Sequence, residues 1–173
     1  KERKTQMSDL YSEFLVKKEP TTKDAVIKYG MIILTAVAAA AGLMFSFVFL
    51  LAAVVLGVAC YFIVPRTDLE YEYLFVNGEM DIDMVMAKSK RKKAITVNIK
   101  EADLVAPVDS HRLDYYNSSS KMKTLDYSSG NPGHKRFAVI TRDKGENCRI
   151  IIEPDEQMQQ AIKNSAPSKV FLD

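Results

Sequence analysis

The chain has 173 residues, 24 Lys+Arg against 22 Asp+Glu, a formal net charge of +2 and a mean hydropathy of −0.09. That average hides two opposites: Tyr29 to Val64 is a run of 36 residues without a charge, while the other 137 residues hold all 46 charged side chains. The pattern excludes a simple cytosolic globule, a disordered tail and a disulfide-stapled secreted fold, and no nucleic-acid partner is expected.

Before the apolar run, Met7, Leu10, Tyr11, Phe14 and Leu15 recur at helical spacing, with Ser8, Asp9, Ser12 and Glu13 opposite. This predicts a cytoplasmic amphipathic helix within residues 1–24, lying in the lipid interface or docked on the soluble part. Pro20 ends it, Thr21 or Thr22 caps the next helix, and Asp24 sits favourably in that helix's first turn. The charge-free run is too long for one span of about 20 residues and suits two. Glycine and serine interrupt it at Gly42 to Ser46, so helices are expected at Ala25–Ala41 and Phe47–Val64, forming a transmembrane hairpin over residues 25–64. Pro65 stops the second.

Seven Lys or Arg precede the run, Arg66 follows it, and the intervening turn has none, so the positive-inside rule puts both termini in the cytoplasm. A cleaved signal peptide is the competing reading, but the apolar stretch and its charged leader are both too long. A chain beginning at Lys1 rather than Met is expected to be a trimmed sequence. Cys60, in the second span, and Cys148, in an expected strand, read as small buried apolar residues rather than a disulfide or a zinc site.

Residues 65–173 read as a cytoplasmic β-rich domain. Asn77-Gly78 is the preferred pair for a two-residue hairpin turn. Folding there pairs Phe75 with Met80, Tyr73 with Ile82, Tyr71 with Met84 and Leu69 with Met86 on one apolar face. Glu70, Glu72, Asp81 and Asp83 take the other face, read as solvated and relieved by nearby Lys rather than as a metal site. Ile95, Val97 and Ile99 alternate in a further strand. Strands follow at Leu104–Val108, Met122–Tyr127, Phe137–Arg142 and Cys148–Glu153, the last two joined at Asp143 to Glu146. One helix closes the domain, started by Pro154 and Asp155, striped by Met158, Ala161 and Ile162, and ended at Pro167. The expected fold is α+β: a two-helix hairpin, then an antiparallel sandwich or partly open barrel of six or seven strands with a C-terminal helix.

This order of hairpin, a strand reading KKAITVNIKEADLVAP (Lys92 to Pro107), further hairpins and one closing helix resembles the bacterial pleckstrin-homology-like domains. The chain as a whole is similar to a family of small, uncharacterised two-span membrane proteins of Gram-positive bacteria, through EYEYLFVNGEMDID, KSKRKK, APVDSHRLD, LDYSSGNP and APSKVFLD. The resemblance implies a binding fold and assigns no activity, because such folds serve many roles.

Lys88, Lys90, Arg91, Lys92 and Lys93 put five cations in six positions, read as a basic turn. Eight strand residues rise about 27 Å from Leu69 and an equal strand returns, bringing this turn back to the lipid surface. Alternation along the later strands carries Lys135 and Arg136 to the same end. These seven are the candidate contacts to anionic headgroups, each worth around 1 kcal/mol. Asp109, His111, Arg112 and Asp114 form a candidate partner-contact loop. Ser110 beside His111 lacks a nucleophile motif, so no catalytic residue, cofactor or metal is expected. His134 reads as an ordinary loop histidine, and Asn117-Ser118-Ser119 is a glycosylation sequon left idle on the cytoplasmic side. Gly42 and Gly57 are candidate helix-packing positions.

Three functions follow. One is a non-enzymatic, membrane-anchored adaptor in the cell membrane, contacting anionic lipid and a protein partner. Another is a small accessory subunit of a larger membrane complex, recognised through its helices. The third and weakest is an enzyme using His111.

Overall fold

The computed structural model describes residues 11–117, 122–143 and 145–173. Its contacts divide the chain into two units, one of Lys18–Glu70 with Val85–Lys90, the other of Tyr71–Met84 and Arg91–Asp173 together with the strand that ends at Lys17.

The first unit holds two helices, α1 (Thr22–Met44) and α2 (Phe47–Ile63). At about 1.5 Å per residue they run roughly 34 and 26 Å, and α1 and the segment Phe47–Thr67, which is α2 with the turn after it, are each long and apolar enough to cross a membrane. The Thr21 amide donates to Asp24 Oδ2 at 3.1 Å, and Ser46 Oγ accepts from Val48 N at 3.4 Å, so each start has its cap. At Gly42, next to the turn, the helices leave no room for a side chain: an added Cβ would lie 2.6 Å from Leu50 Cγ and 2.7 Å from its backbone nitrogen. Thr35 Oγ1 meets Cys60 Sγ at 3.3 Å across the same pair. Gly57 has nothing within 4 Å of such a Cβ and faces open space. A short 3₁₀ turn, Val64–Thr67, carries Pro65 and ends the helical segment.

The second unit is built on two four-stranded sheets. One has the order β1-β2-β3-β4: β1 (Tyr11–Lys17), β2 (Leu69–Val76), β3 (Glu79–Met86) and β4 (Lys90–Asn98). The other has the order β5-β7-β8-β6: β5 (Leu104–Pro107), β6 (Lys123–Asp126), β7 (Phe137–Asp143) and β8 (Glu146–Ile152). They do not close into a barrel. The short helix α3 (Asp114–Asn117) follows β5, and α4 (Glu156–Ser165) ends the order. Asp155 Oδ1 caps α4 by accepting from Met158 N at 2.9 Å, while Met158 and Ile162 bury its apolar stripe. Asn77 and Gly78 have φ of 54° and 95°, as the left-handed hairpin turn between β2 and β3 requires. Tyr71, Tyr73 and Phe75 from β2 and Met80 and Ile82 from β3 are buried with Val97, Ile99, Val139, Ile150 and Ile152 in one core.

The residues expected to form an amphipathic helix are, where described, the strand β1; Met7, Ser8, Asp9 and Leu10 lie outside the described residues. Ser12 and Val16 are buried and Phe14 packs on the core, so the true period is two. A polar Ser12 on the inner face and an apolar Leu15, 49% exposed, on the outer one disguised that alternation as a helical stripe. The sheets are also not wholly antiparallel. Lys123–Asp126 runs parallel to Cys148–Ile151, an arrangement that no local turn encodes. The C-terminal segment is not a free tail: Val170 is fully buried, and the Phe171 amide donates to Val105 O at 2.8 Å.

Tyr73 ties the two sheets together. Its hydroxyl donates to the Tyr127 carbonyl beyond β6 and accepts from Glu153 N, 3.3 Å away, beyond β8. Tyr73→Phe leaves both part-buried backbone groups without that partner and is expected to cost about 1–3 kcal/mol, read as a lowered melting temperature. In the helical hairpin, Gly42→Ala is expected to destabilise by about 1–3 kcal/mol through overpacking, while Gly57→Ala leaves stability in detergent unchanged.

Candidate functional site

The five-cation segment is only partly a turn. Ala87 and Lys88, with φ of 47° and 56°, reverse the chain, and Lys90 already begins β4. A strand sends successive side chains to opposite faces, so the cluster is split. Arg91 Nη2 lies 2.5 Å from Glu72 Oε2, and Lys93 Nζ lies 2.8 Å from Asp81 Oδ1. Lys90 Nζ instead stands 4.7 Å from the ring centre of Tyr61 and 5.9 Å from that of Phe62, at the end of α2. Lys88 and Lys92 are exposed. The alternation slips by one residue at Ala94 and Ile95, which are consecutive yet both pack on the core. That slip puts Arg91 and Lys93 on the acidic face together with Thr96, whose hydroxyl donates to Asp81 Oδ1 at 2.5 Å.

Lysine relieves the repulsion at Asp81 and Arg91 does so at Glu72, whereas Glu70, expected on the same solvated face, is buried. Hydrogen bonds from Lys93 and then Thr96 hold the Asp81 carboxyl below its ordinary value, and the bond with Asp81 raises Lys93. Burial, and after it a hydrogen bond with Glu13 of β1, pushes Glu72 up, against the lowering effect of Arg91. No group of three or more His, Cys, Asp or Glu with metal-binding placement occurs among the described residues.

A second constellation forms where β5 ends and β7 begins. Pro107 pairs with Phe137, so the loops after one and before the other leave the sheet side by side. The Val108 amide donates to Arg136 O at 3.0 Å and stitches them. Ser110 Oγ accepts from Arg112 N at 3.4 Å, starting the turn His111–Leu113, whose Leu113 is buried as an anchor. The opposite loop is clamped by Glu153. Its Oε2 accepts from Ser129 N at 3.0 Å and from Ser129 Oγ at 2.6 Å, and its Oε1 lies 2.6 Å from His134 Nδ1. Between the loops lies a cavity of about 790 Å³ lined by Asp109, His111, Arg112, His134, Lys135 and Arg136, among others. Sequence reasoning separated these residues into a partner loop and a lipid-facing basic end; the structure brings them together. Asp114 is not among the lining residues and sits 3.3 Å from the exposed His111.

A family model described as a bacterial PH-like domain, DUF6106, matches residues 8–172. The chain belongs to that family. No curated protein and no solved structure matches it.

Within this PH-like chain, neither histidine is set between an acid and a serine hydroxyl. Ser110 acts as a turn cap rather than facing His111. Ser129 and His134 both lie on the Glu153 carboxylate, with Ser129 Oγ 3.4 Å from His134 Nδ1, so Glu153 fastens the loop and the imidazole does not bridge acid to hydroxyl. The Glu153 clamp had no readable signal: its partners lie 19 and 24 residues away in a loop.

The acidic face sets a pH profile. A carboxyl held low stabilises the fold above its unfolded value, ordinarily 3.8 for Asp81, and that contribution is lost as pH falls through the lower folded value. A carboxyl held high does the reverse, so stability rises as pH falls through the raised value of Glu72 toward 4.5. Thermal melts between about pH 3 and 7 are expected to show a shallower acid limb in Asp81→Asn and a smaller mid-acid rise in Glu72→Gln. Profiles matching the unsubstituted chain would count against both assignments.

Proposed function

We propose that the chain is a non-catalytic binding module anchored in the cell membrane by its two helices, with both termini cytoplasmic and its basic strand end among anionic headgroups. The observation that carries this reading is the position of Lys90 over Tyr61 and Phe62, within the unit that contains both helices. An aromatic pair closing an apolar helix, with Arg66 and Lys90 beside it, has the composition of a cytoplasmic membrane interface. The outward faces of both helices supply further support. Val26, Ile33 and Val37 of α1 and Val48, Val54 and Val55 of α2 are each more than half exposed, an apolar surface that needs lipid or protein to cover it. Arg91 and Lys93 are already committed to acids of the sheet, so Lys88, Lys90 and Lys92 are the cations of this cluster assigned to lipid. The two-loop cavity is the binding site assigned to the module.

A second reading is favoured by Gly57, whose surroundings are open: a neighbouring membrane protein can approach α2 closely there, making the chain an accessory subunit. Under that reading Gly57→Leu breaks co-purification with the neighbour; under the first it does not.

Single cysteines test the topology in a background lacking Cys60 and Cys148. Ser46→Cys, between the helices, is expected to react with an impermeant maleimide in intact cells, and Ser89→Cys only after permeabilisation. Labelling of both from outside, or release of the chain by alkaline carbonate, would overturn the anchored topology.

A further inference from the structure

We infer that the cavity between residues 107–112 and 132–136 binds a phosphate-bearing group, held by Arg112, Lys135 and Arg136. Three cations reach it from two loops, and none of the three forms an ion pair among the described residues, although Asp109 and Asp173 line the same space. Arg136 Nε is buried and has no hydrogen-bond partner among the described residues. A buried charged donor left in that condition calls for an acceptor. The Arg112 guanidinium stands 3.9 Å from the ring centre of Phe171, which fixes the cation while its several N–H donors remain available to an oxyanion. Lys135 Nζ donates to Leu172 O and lies 5.5 Å from the Phe137 ring centre, so it too is held in place.

Cations converging from two sides suit the several acceptor oxygens of a phosphate better than the single plane of a carboxylate. At about 790 Å³ the cavity is larger than a bare ion needs, so the phosphate belongs to a larger molecule, either soluble or a lipid headgroup. The pocket is braced for this by the Glu153 clamp on one loop and by buried Leu113 on the other. The inference goes beyond the anchored-module reading and requires no particular membrane topology.

The test is calorimetry with sodium pyrophosphate at fixed ionic strength, using the full chain in phosphatidylcholine nanodiscs. Saturable binding is expected, weakened about tenfold or more by Arg112→Gln and by Arg136→Gln, with Lys123→Gln, outside the cavity, unchanged. Arg112 is exposed, so its substitution carries the test if Arg136→Gln unfolds the domain. Repeating the titration in discs containing phosphatidylglycerol separates the sources. Competition relieved by Arg112→Gln identifies a lipid headgroup, and unchanged affinity identifies a soluble phosphate compound. No saturable binding, or binding indifferent to both arginine substitutions, overturns the inference.

Discussion

The hydroxyl of Tyr73 is the constraint on which the β-rich unit depends. It lies on the core face of β2 in one sheet and joins the chain segments that leave β6 and β8 in the other. A buried phenol whose oxygen both donates and accepts carries little mobility, and burial accordingly pushes its ionisation well above the ordinary range. What it fixes is position: Glu153, whose amide it receives, is the residue that fastens Ser129 and His134. One buried hydrogen-bonded group thus sets the far wall of the two-loop cavity, and the near wall follows from the β5–β7 register.

The cations divide by how strand geometry uses them. Those with an acid opposite, Arg91 and Lys93, serve the sheet; they are more than half exposed, so each pair adds little stability while relieving repulsion among Glu72, Asp81 and their neighbours. Lys90 is held by aromatic rings at the helix end. Arg112, Lys135 and Arg136 face a cavity. A net charge of +2 conceals this sorting, because a sum over the chain carries no information about which charges are paired.

Much of the architecture was legible in local pattern. The break between helices fell within Gly42 to Ser46, the Asn77-Gly78 turn produced the central hairpin, and Asp155 capped the closing helix. Each rests on chemistry confined to a few residues: a cap, a left-handed pair, an apolar period. The errors occurred where partners are distant. β1 was read as a helix because its inward positions include Ser12, and only a place beside β2 in the sheet makes an extended segment the better solution there. The basic run reads as a turn in sequence because consecutive cations show no apolar alternation, although Lys90 to Lys93 belong to β4.

The candidate site followed the same division. Asp109, His111, Arg112, Lys135 and Arg136 stand out in the sequence as two separate groups, and in the structure they line one cavity. By itself, the sequence determined two apolar helices, an apolar-faced hairpin and the closing helix, because hydropathy and backbone preference act within one or two turns of chain. Only the tertiary structure decided that β1 joins the first sheet, that β6 runs parallel to β8 and that the two loops share a cavity. Those outcomes depend on contacts between residues tens of positions apart, and the loss of chain entropy in forming them is offset only when the whole core assembles.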